Sequence, residues 1–92
     1  MEIDGIVVRL TRGEMAVLAM LMEAAPEPVP RDVLDAAARL GAAARGRRKR
    51  LVDQRVHTLR QKLGDDARRP RLIVSIVGVG YAFGRAAASA TG

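Results

Sequence analysis

The feature that most constrains this chain is a basic amphipathic stretch near its centre, "GRRKRLVDQRVHTLRQKLG", at residues 46–64. At 100° per residue its apolar positions form one stripe, which predicts a helix over residues 47–63 that ends at Gly64. The stripe contains Val52, Val56, Leu59 and Leu63. The opposite face carries side chains that form hydrogen bonds: Arg47, Arg50, Gln54, His57, Thr58 and Gln61. The chain therefore needs a core on one side of this helix and exposes a polar, basic surface on the other.

Charge is concentrated in the same stretch. Residues 45–62 hold eight of the chain's 16 Lys+Arg and one acid, Asp53, and the net charge of the chain is +6. Such a balance favours a polyanionic partner. Phosphate neutralisation supplies much of the affinity for DNA, and arginine, glutamine, threonine and histidine side chains can bond base edges. The alternatives are a solvated helix surface and a helix on a membrane, but a membrane helix also needs large exposed apolar groups.

The first half of the chain predicts two further helices. Residues 2–10 predict one strand, or a small hairpin about the turn pair Asp4-Gly5. Thr11 and Glu14 form a capping-box pattern for a helix over 12–24. Its apolar stripe is Met15, Leu18 and Met22, with Val17 and Leu21 beside it. Prolines at 26, 28 and 30 end this helix. A second helix follows Pro30 and ends at Gly41, with an apolar stripe of Val33, Ala37 and Leu40.

The second half predicts a hairpin after the basic helix. Residues 42–46 fit either a loop or a helix, and residues 65–71 form a polar loop in which Asp65 and Asp66 are a solvated turn. "LIVSIV" is a strand, "GVG" a turn and "YAF" a returning strand. We expect one domain over residues 1–84 and a disordered tail over 85–92. The fold class is α+β: a short N-terminal β element, three helices and a C-terminal β-hairpin wing, which together describe a winged helix-turn-helix.

The sequence offers few residues of the kinds that bind metals or catalyse reactions. The chain has no cysteine, and His57 is its only histidine. We therefore expect no metal, no cofactor and no enzymatic activity. The apolar run from Met15 to Met22 is far too short to span a bilayer, which predicts a core helix in a cytoplasmic protein with no membrane partner.

At this point the motifs resemble a known family. "LT" at 10–11 with Glu14, "VLAML" at 17–21, "LVDQRVHTLRQKLG" at 51–64 and "LIVSIVGVGYAF" at 72–83 resemble the OmpR/PhoB-type winged-helix effector domain of bacterial response regulators. The resemblance covers about residues 6–84. It implies a transcription regulator of a two-component system that binds direct-repeat promoter elements on double-stranded DNA, as a dimer switched by a receiver domain. It also allows a contact with RNA polymerase.

The resemblance assigns roles to individual residues. Arg50, Arg55 and Arg60 match phosphate or groove contacts, whereas Gln54, His57 and Thr58 match positions that face bases. Ser75 matches a wing hydroxyl that contacts the DNA backbone, and Tyr81 and Phe83 match packing aromatics of the wing. The basic stretch itself adds Arg47 and Arg48, and the base of the hairpin adds Arg71, as cations that attract phosphate.

Three positions depart from the family pattern. Val77 stands where the family usually has an arginine that enters the minor groove, and no tryptophan ends the second helix. The segment between the second and third helices is an Ala/Arg/Gly stretch. No receiver domain is present in the sequence.

The alternative function is a winged helix that serves as a protein-interaction or regulatory appendage of a larger polypeptide and docks an acidic partner through its basic face.

Overall fold

The computed structural model describes residues 2–3, 6–41, 51–65 and 71–84. Within these ranges a two-stranded hairpin precedes two helices that are separated by a short strand, and a third helix precedes a β-hairpin. The bounds are β1 Glu2–Ile3, β2 Ile6–Val7, α1 Arg12–Ala24, β3 Val29–Pro30, α2 Arg31–Ala38, α3 Val52–Leu63, β4 Ile73–Ile76 and β5 Gly80–Phe83. This arrangement confirms the predicted fold class. The expected tail at 85–92 and the undecided segment at 42–46 lie outside the described residues.

The start of α1 follows the predicted capping box. The Thr11 hydroxyl accepts the Glu14 amide at 3.2 Å, and the Glu14 carboxylate accepts the Thr11 amide at 2.8 Å. These reciprocal bonds satisfy backbone donors that have no partner within the helix. The hairpin alternative for the N-terminus is also confirmed, because β1 and β2 pair antiparallel.

The predicted apolar stripe of α1 is partly wrong. Met15 and Met22 are 51% and 47% exposed, whereas Val17, Leu18 and Leu21 are buried. The buried face runs instead through Glu14, which is 2% exposed. Because this carboxylate has hydrogen-bonding partners, it occupies the core side of the helix, and the two methionines lie roughly 100° around the axis from the buried face.

The predicted stripe of α2 is also wrong in two of its three positions. Val33 and Leu40 are 49% and 54% exposed, and the residues that α2 buries are Leu34, Ala37 and Ala38. The helix ends at Ala38 rather than at Gly41, so Leu40 lies beyond it in a turn. Pattern alone did not distinguish two adjacent apolar stripes on so short a helix.

The third helix begins at Val52 rather than at residue 47 and ends at Gly64, whose φ of 72° is left-handed, as predicted. The expected helical residues 47–50 lie outside the described part of the chain. Leu51 precedes the helix and provides no side-chain cap. Asp35 of α2 supplies the cap instead, because its Oδ1 accepts the amides of Leu51 at 2.7 Å and Val52 at 3.2 Å. A residue far away in sequence thus fixes where α3 starts.

The C-terminal hairpin belongs to a three-stranded sheet of order β3-β5-β4. β4 and β5 pair antiparallel, with Ser75 opposite Tyr81. The additional strand β3, within the proline-rich stretch, pairs with β5 and was not predicted from the sequence. Its approach requires a glycine at position 80, since a Cβ there would lie 2.0 Å from the Val29 carbonyl oxygen.

One apolar core joins the three helices to the sheet. Its larger fully buried side chains come from every helix and from β4: Val17, Leu18, Leu21, Leu34, Val52, Val56, Leu59 and Ile73. Leu63, the last residue of the predicted α3 stripe, is half-buried and packs against this core. The core therefore holds the inner side of α3, and the outer side of that helix remains available.

Candidate nucleic-acid interface

The outward face of α3 is polar, as predicted. Gln54, His57 and Gln61 are exposed, and Thr58 is half-buried at the edge of the same face. Glutamine and neutral histidine side chains can each both donate and accept hydrogen bonds, which is the chemistry that base edges require. Arg47, Arg48 and Arg50 lie outside the described residues, so their roles stay predictions.

The edge of this face nearest α1 is held by an ion pair between exposed Lys62 and buried Glu14. Lys62 Nζ lies 2.6 Å from Glu14 Oε1. Burial alone raises the pKa of the Glu14 carboxyl, but hydrogen bonds from Lys62, Thr11 and the nearby Thr58 outweigh burial and lower that pKa to about 2. The single hydroxyl proton of Thr58 has two acceptors within the domain, the Glu14 carboxylate and the Arg55 carbonyl at 3.0 Å. On the outward face, Thr58 therefore offers acceptor lone pairs and a methyl group.

Arg55 and Arg60 lie on opposite flanks of α3, and each is bound to backbone. Arg55 Nε donates to the Ala38 carbonyl at 3.0 Å, over Gly13, where a Cβ would lie 2.8 Å from this nitrogen. Arg60 donates to the Ile73 carbonyl through Nη2 at 2.8 Å and Nε at 3.2 Å. Arg60 Nη2 also donates to the Ser75 hydroxyl at 3.1 Å. A guanidinium has five N–H donors, so each side chain can orient α3 and retain donors for phosphate.

A three-element cluster lies on the wing side of α3. Asp53 Oδ1 accepts hydrogen bonds from the Tyr81 hydroxyl of β5 and, at 3.2 Å, from Arg31 Nε of α2. The guanidinium carbons of Arg31 and Arg60 lie 4.9 and 5.8 Å from the centroid of the Tyr81 ring. Burial, followed by the adjacent Asp53 carboxylate, raises the pKa of Tyr81, whereas the Asp53 partner raises the pKa of Arg31. We call Arg31, Asp53, Arg60 and Tyr81 the wing cluster.

The wing turn, residues 77–79, presents an apolar tip. Val77 is 96% exposed and Val79 is 43% exposed, while Gly78 between them has a left-handed φ of 78°. Arg71 is exposed just before β4. The strand start is fixed by Asp65, which accepts the amides of residues 71, 72 and 73 at 2.8–3.2 Å. Asp65 therefore has a structural role that the interpretation as a solvated turn missed.

Other kinds of site find little support in the described ranges. No group of three or more His, Asp or Glu side chains there is placed to hold a metal ion. Of the helices in the described part of the chain, none has both the length and the apolar character needed to cross a bilayer. A depression of about 370 Å³ lies between the start of α1, the turn after α2 and α3, and it is lined by Thr11, Arg12, Leu40, Gly41 and Arg55.

Several residues that position α3 were not singled out from the sequence. Asp35 caps α3, Arg31 and Asp53 connect α2 with α3, and Lys62 pairs with Glu14. One signal was available: Asp53 is the only acid within the basic stretch, and an isolated acid among cations indicates a specific partner. The identity of that partner depends on how distant segments meet.

Comparison with known proteins agrees with this architecture. A family model described as "Transcriptional regulatory protein, C terminal" matches residues 5–83. The DNA-binding domain of RstA from Klebsiella pneumoniae, solved in complex with the RstA box, is 29% identical with a TM-score of 0.68. That match covers 85% of this chain and 75% of the RstA chain. The DNA-binding domain of the response regulator AdeR, solved with an intercistronic region, is 24% identical with a TM-score of 0.66, which shows a shared fold. The AdeR match covers 89% of this chain and 80% of that one.

Proposed function

The chain belongs to the family of C-terminal domains of transcriptional regulatory proteins, and from that premise we propose how it binds double-stranded DNA. In this proposal α3 enters the major groove and the β4–β5 hairpin contacts the backbone or minor groove. The observation that supports it best is the outward face of α3, where exposed Gln54 and His57 lie between flanks that carry arginines. The family is one of transcription regulators, and we propose that this member catalyses no reaction.

The outward residues of α3 contact the base edges in the major groove. Gln54 can bond adenine in a bidentate manner through N6 and N7, and His57 can bond an acceptor on guanine or adenine. Thr58 retains its hydroxyl lone pairs and its methyl group, which suit a cytosine or adenine amino group and a thymine methyl. These three residues should therefore determine which sequence is preferred.

Phosphate contacts surround the reading face. Arg55 and Arg60 flank α3, and their N–H groups that are not used on carbonyls can reach the two strands beside the groove. Arg71 is exposed next to the wing, and the Ser75 hydroxyl, already bound by Arg60, retains its own proton for phosphate. Arg47, Arg48 and Arg50 complete the proposed set from the segment that precedes α3. Such contacts fix register and orientation and carry little sequence information.

We place the protein in the cytoplasm, together with the chromosomal promoters that a regulator must reach. Direct-repeat promoter sites, a dimer on DNA, a receiver domain and a contact with RNA polymerase belong to the same proposal.

The proposal is tested by titrating the protein against duplexes selected from a random-sequence pool, in excess nonspecific DNA and at several salt concentrations. If five or six phosphates are neutralised, the logarithm of the binding constant should fall against the logarithm of salt with a slope of about −5. The matched control is a scrambled duplex of the same length. A slope near zero, or equal affinity for both duplexes, would support the alternative of a protein-interaction appendage.

A further inference from the structure

We propose that Tyr81 and Asp53 are positioning residues that fix the wing relative to the recognition helix α3, so that both contact one DNA site in a single geometry. The inference rests on the proposed function and deepens it. Neither residue was assigned such a role from the sequence, where Tyr81 was interpreted as a packing aromatic and Asp53 was noted as the one acid among the cations of residues 45–62. Both lie in the wing cluster, where α2, α3 and β5 meet.

The wing is joined to α3 at two separate points. At the first, Arg60 donates to the Ile73 carbonyl and the Ser75 hydroxyl of β4. At the second, the Tyr81 hydroxyl of β5 donates to Asp53 in the first turn of α3. Pairing of β5 with β3 and burial of Ile73 already hold the hairpin on the domain. The two connections bind both strands of the hairpin to α3 itself, and the second one therefore helps to fix the angle between the wing and the helix.

Tyr81 and Arg31 both donate to Asp53, and the tyrosine has the greater effect. The Arg31–Asp53 pair is partly solvated, with side chains 30% and 56% exposed, and surface ion pairs of this kind contribute little. Tyr81 is only 5% exposed, and its hydroxyl donates to a charged acceptor. Hydrogen bonds to charged groups are the stronger class. Loss of the phenolic hydroxyl should consequently loosen the wing while the ring keeps its packing in the core.

The role has a consequence that general stability does not share. If Tyr81 only supported the core, its loss would weaken binding to every DNA site alike. If it orients the wing, its loss removes the affinity that depends on helix and wing binding together, and leaves binding by the helix alone unchanged. The ratio between affinities for a long site and for a short site separates these two roles.

The test uses the full chain and two duplexes derived from a site that wild type selects from a random pool. The long duplex includes the bases that the wing protects from hydroxyl radicals, and the short duplex ends before them. For Tyr81→Phe the long-to-short affinity ratio should fall roughly tenfold to a hundredfold, the effect of losing one hydrogen bond to a charged group, with the short-site affinity unchanged. Asp53→Asn should reduce the ratio similarly, although its lost negative charge raises both affinities.

The double variant should lower the ratio no further than Tyr81→Phe does, because both changes act on the same charge-assisted hydrogen bond. Glu23→Gln on α1 is the matched control for charge and should leave the ratio at its wild-type value. An unchanged ratio in folded Tyr81→Phe, or an equal loss on both duplexes, would overturn the positioning role. A wild type that selects no sequence at all would instead contradict the proposed function.

Discussion

Replacing Glu14 with glutamine removes the charge of the one acid buried in the described core, and the pair with Lys62 allows the effect to be calculated. The carboxyl is 2% exposed, and its pKa falls from an ordinary 4.5 to about 2 in the folded chain. A tenfold change in proton affinity is worth about 1.4 kcal/mol, so the ionised carboxylate contributes about 3 kcal/mol to the free energy of unfolding. That is a large share of the stability of a small domain.

The lowered pKa of Glu14 determines how the free energy of unfolding changes with pH. The contribution is complete above pH 4.5, where the unfolded chain is also ionised, and it is lost as the pH falls toward 2. Glu14→Gln should therefore lower the free energy of unfolding at pH 7 by up to about 3 kcal/mol, and the two proteins should converge near pH 2. Glutamine keeps the capping-box geometry, so the change mainly removes the charge.

The assay is urea denaturation followed by circular dichroism at a series of pH values between 7 and 2. Glu23→Gln, at an exposed position of the same helix, is the control and should retain the acid dependence of the wild type. The calculation would be refuted if Glu14→Gln kept the full wild-type loss of stability between pH 4.5 and 2.

Three further predictions concern the wing and α3. Val77→Arg should tighten DNA binding, most on A·T-rich flanks, and steepen the dependence of binding on salt by about one. Titrations of two duplexes with different flanks measure both effects, and weaker binding on both duplexes would mean that the wing tip points away from DNA. Tyr81, the only tyrosine, should ionise above its ordinary pKa in ultraviolet titration. The free energy of unfolding should fall as the pH rises from that ordinary pKa through the raised pKa of the folded chain. Asp53→Asn should lower the pKa of Tyr81, and an unchanged titration would contradict the hydrogen bond. Asp35→Ala should cost about 1–2 kcal/mol in urea denaturation through loss of the α3 cap, and a cost below about 0.5 kcal/mol would argue against that cap.

Local signals in the sequence predicted the elements whose causes are local. The capping box at Thr11 and Glu14 and the left-handed end of α3 at Gly64 each involve a few neighbouring residues, and both are confirmed. The C-terminal hairpin is confirmed for a similar reason, since a β-branched run and a glycine turn together specify it. Helical periodicity also separated the inner and outer faces of α3 correctly, because its buried stripe is narrow and its other positions are polar.

The errors come from interactions between distant segments. Met15 and Met22 were placed in the core because periodicity cannot show that Lys62 makes Glu14 acceptable there. Strand β3 was missed because its pairing depends on β5, and a proline-rich stretch gives no local strand signal. On α2, Val33 was chosen over Leu34 because both lie on apolar stripes and only packing decides between them.

In the candidate interface, too, features set by local sequence were predicted and contacts between distant segments were not. Helical periodicity at 100° per residue identified Gln54 and His57 as outward residues. The partners of Arg55, Arg60 and Asp53 lie on other elements, so residue spacing cannot predict them. The resemblance assigned the two arginines to DNA without revealing that each also binds a backbone carbonyl. Their proposed contact with phosphate thus operates from a fixed orientation, which spacing alone could not indicate.

The most direct test of the account is whether the outward face of α3 determines which DNA sequence is preferred. Wild type, Gln54→Ala, Thr58→Ala and Arg48→Ala are each used to select duplexes from a random-sequence pool, and affinities for the wild-type site and its single-base variants are then measured. Gln54→Ala should cost roughly 1–3 kcal/mol and relax the preference at one base pair, whereas Arg48→Ala should weaken all sequences alike. An unchanged preference for Gln54→Ala, with Thr58→Ala also unchanged, would show that this face of the helix does not read the major groove.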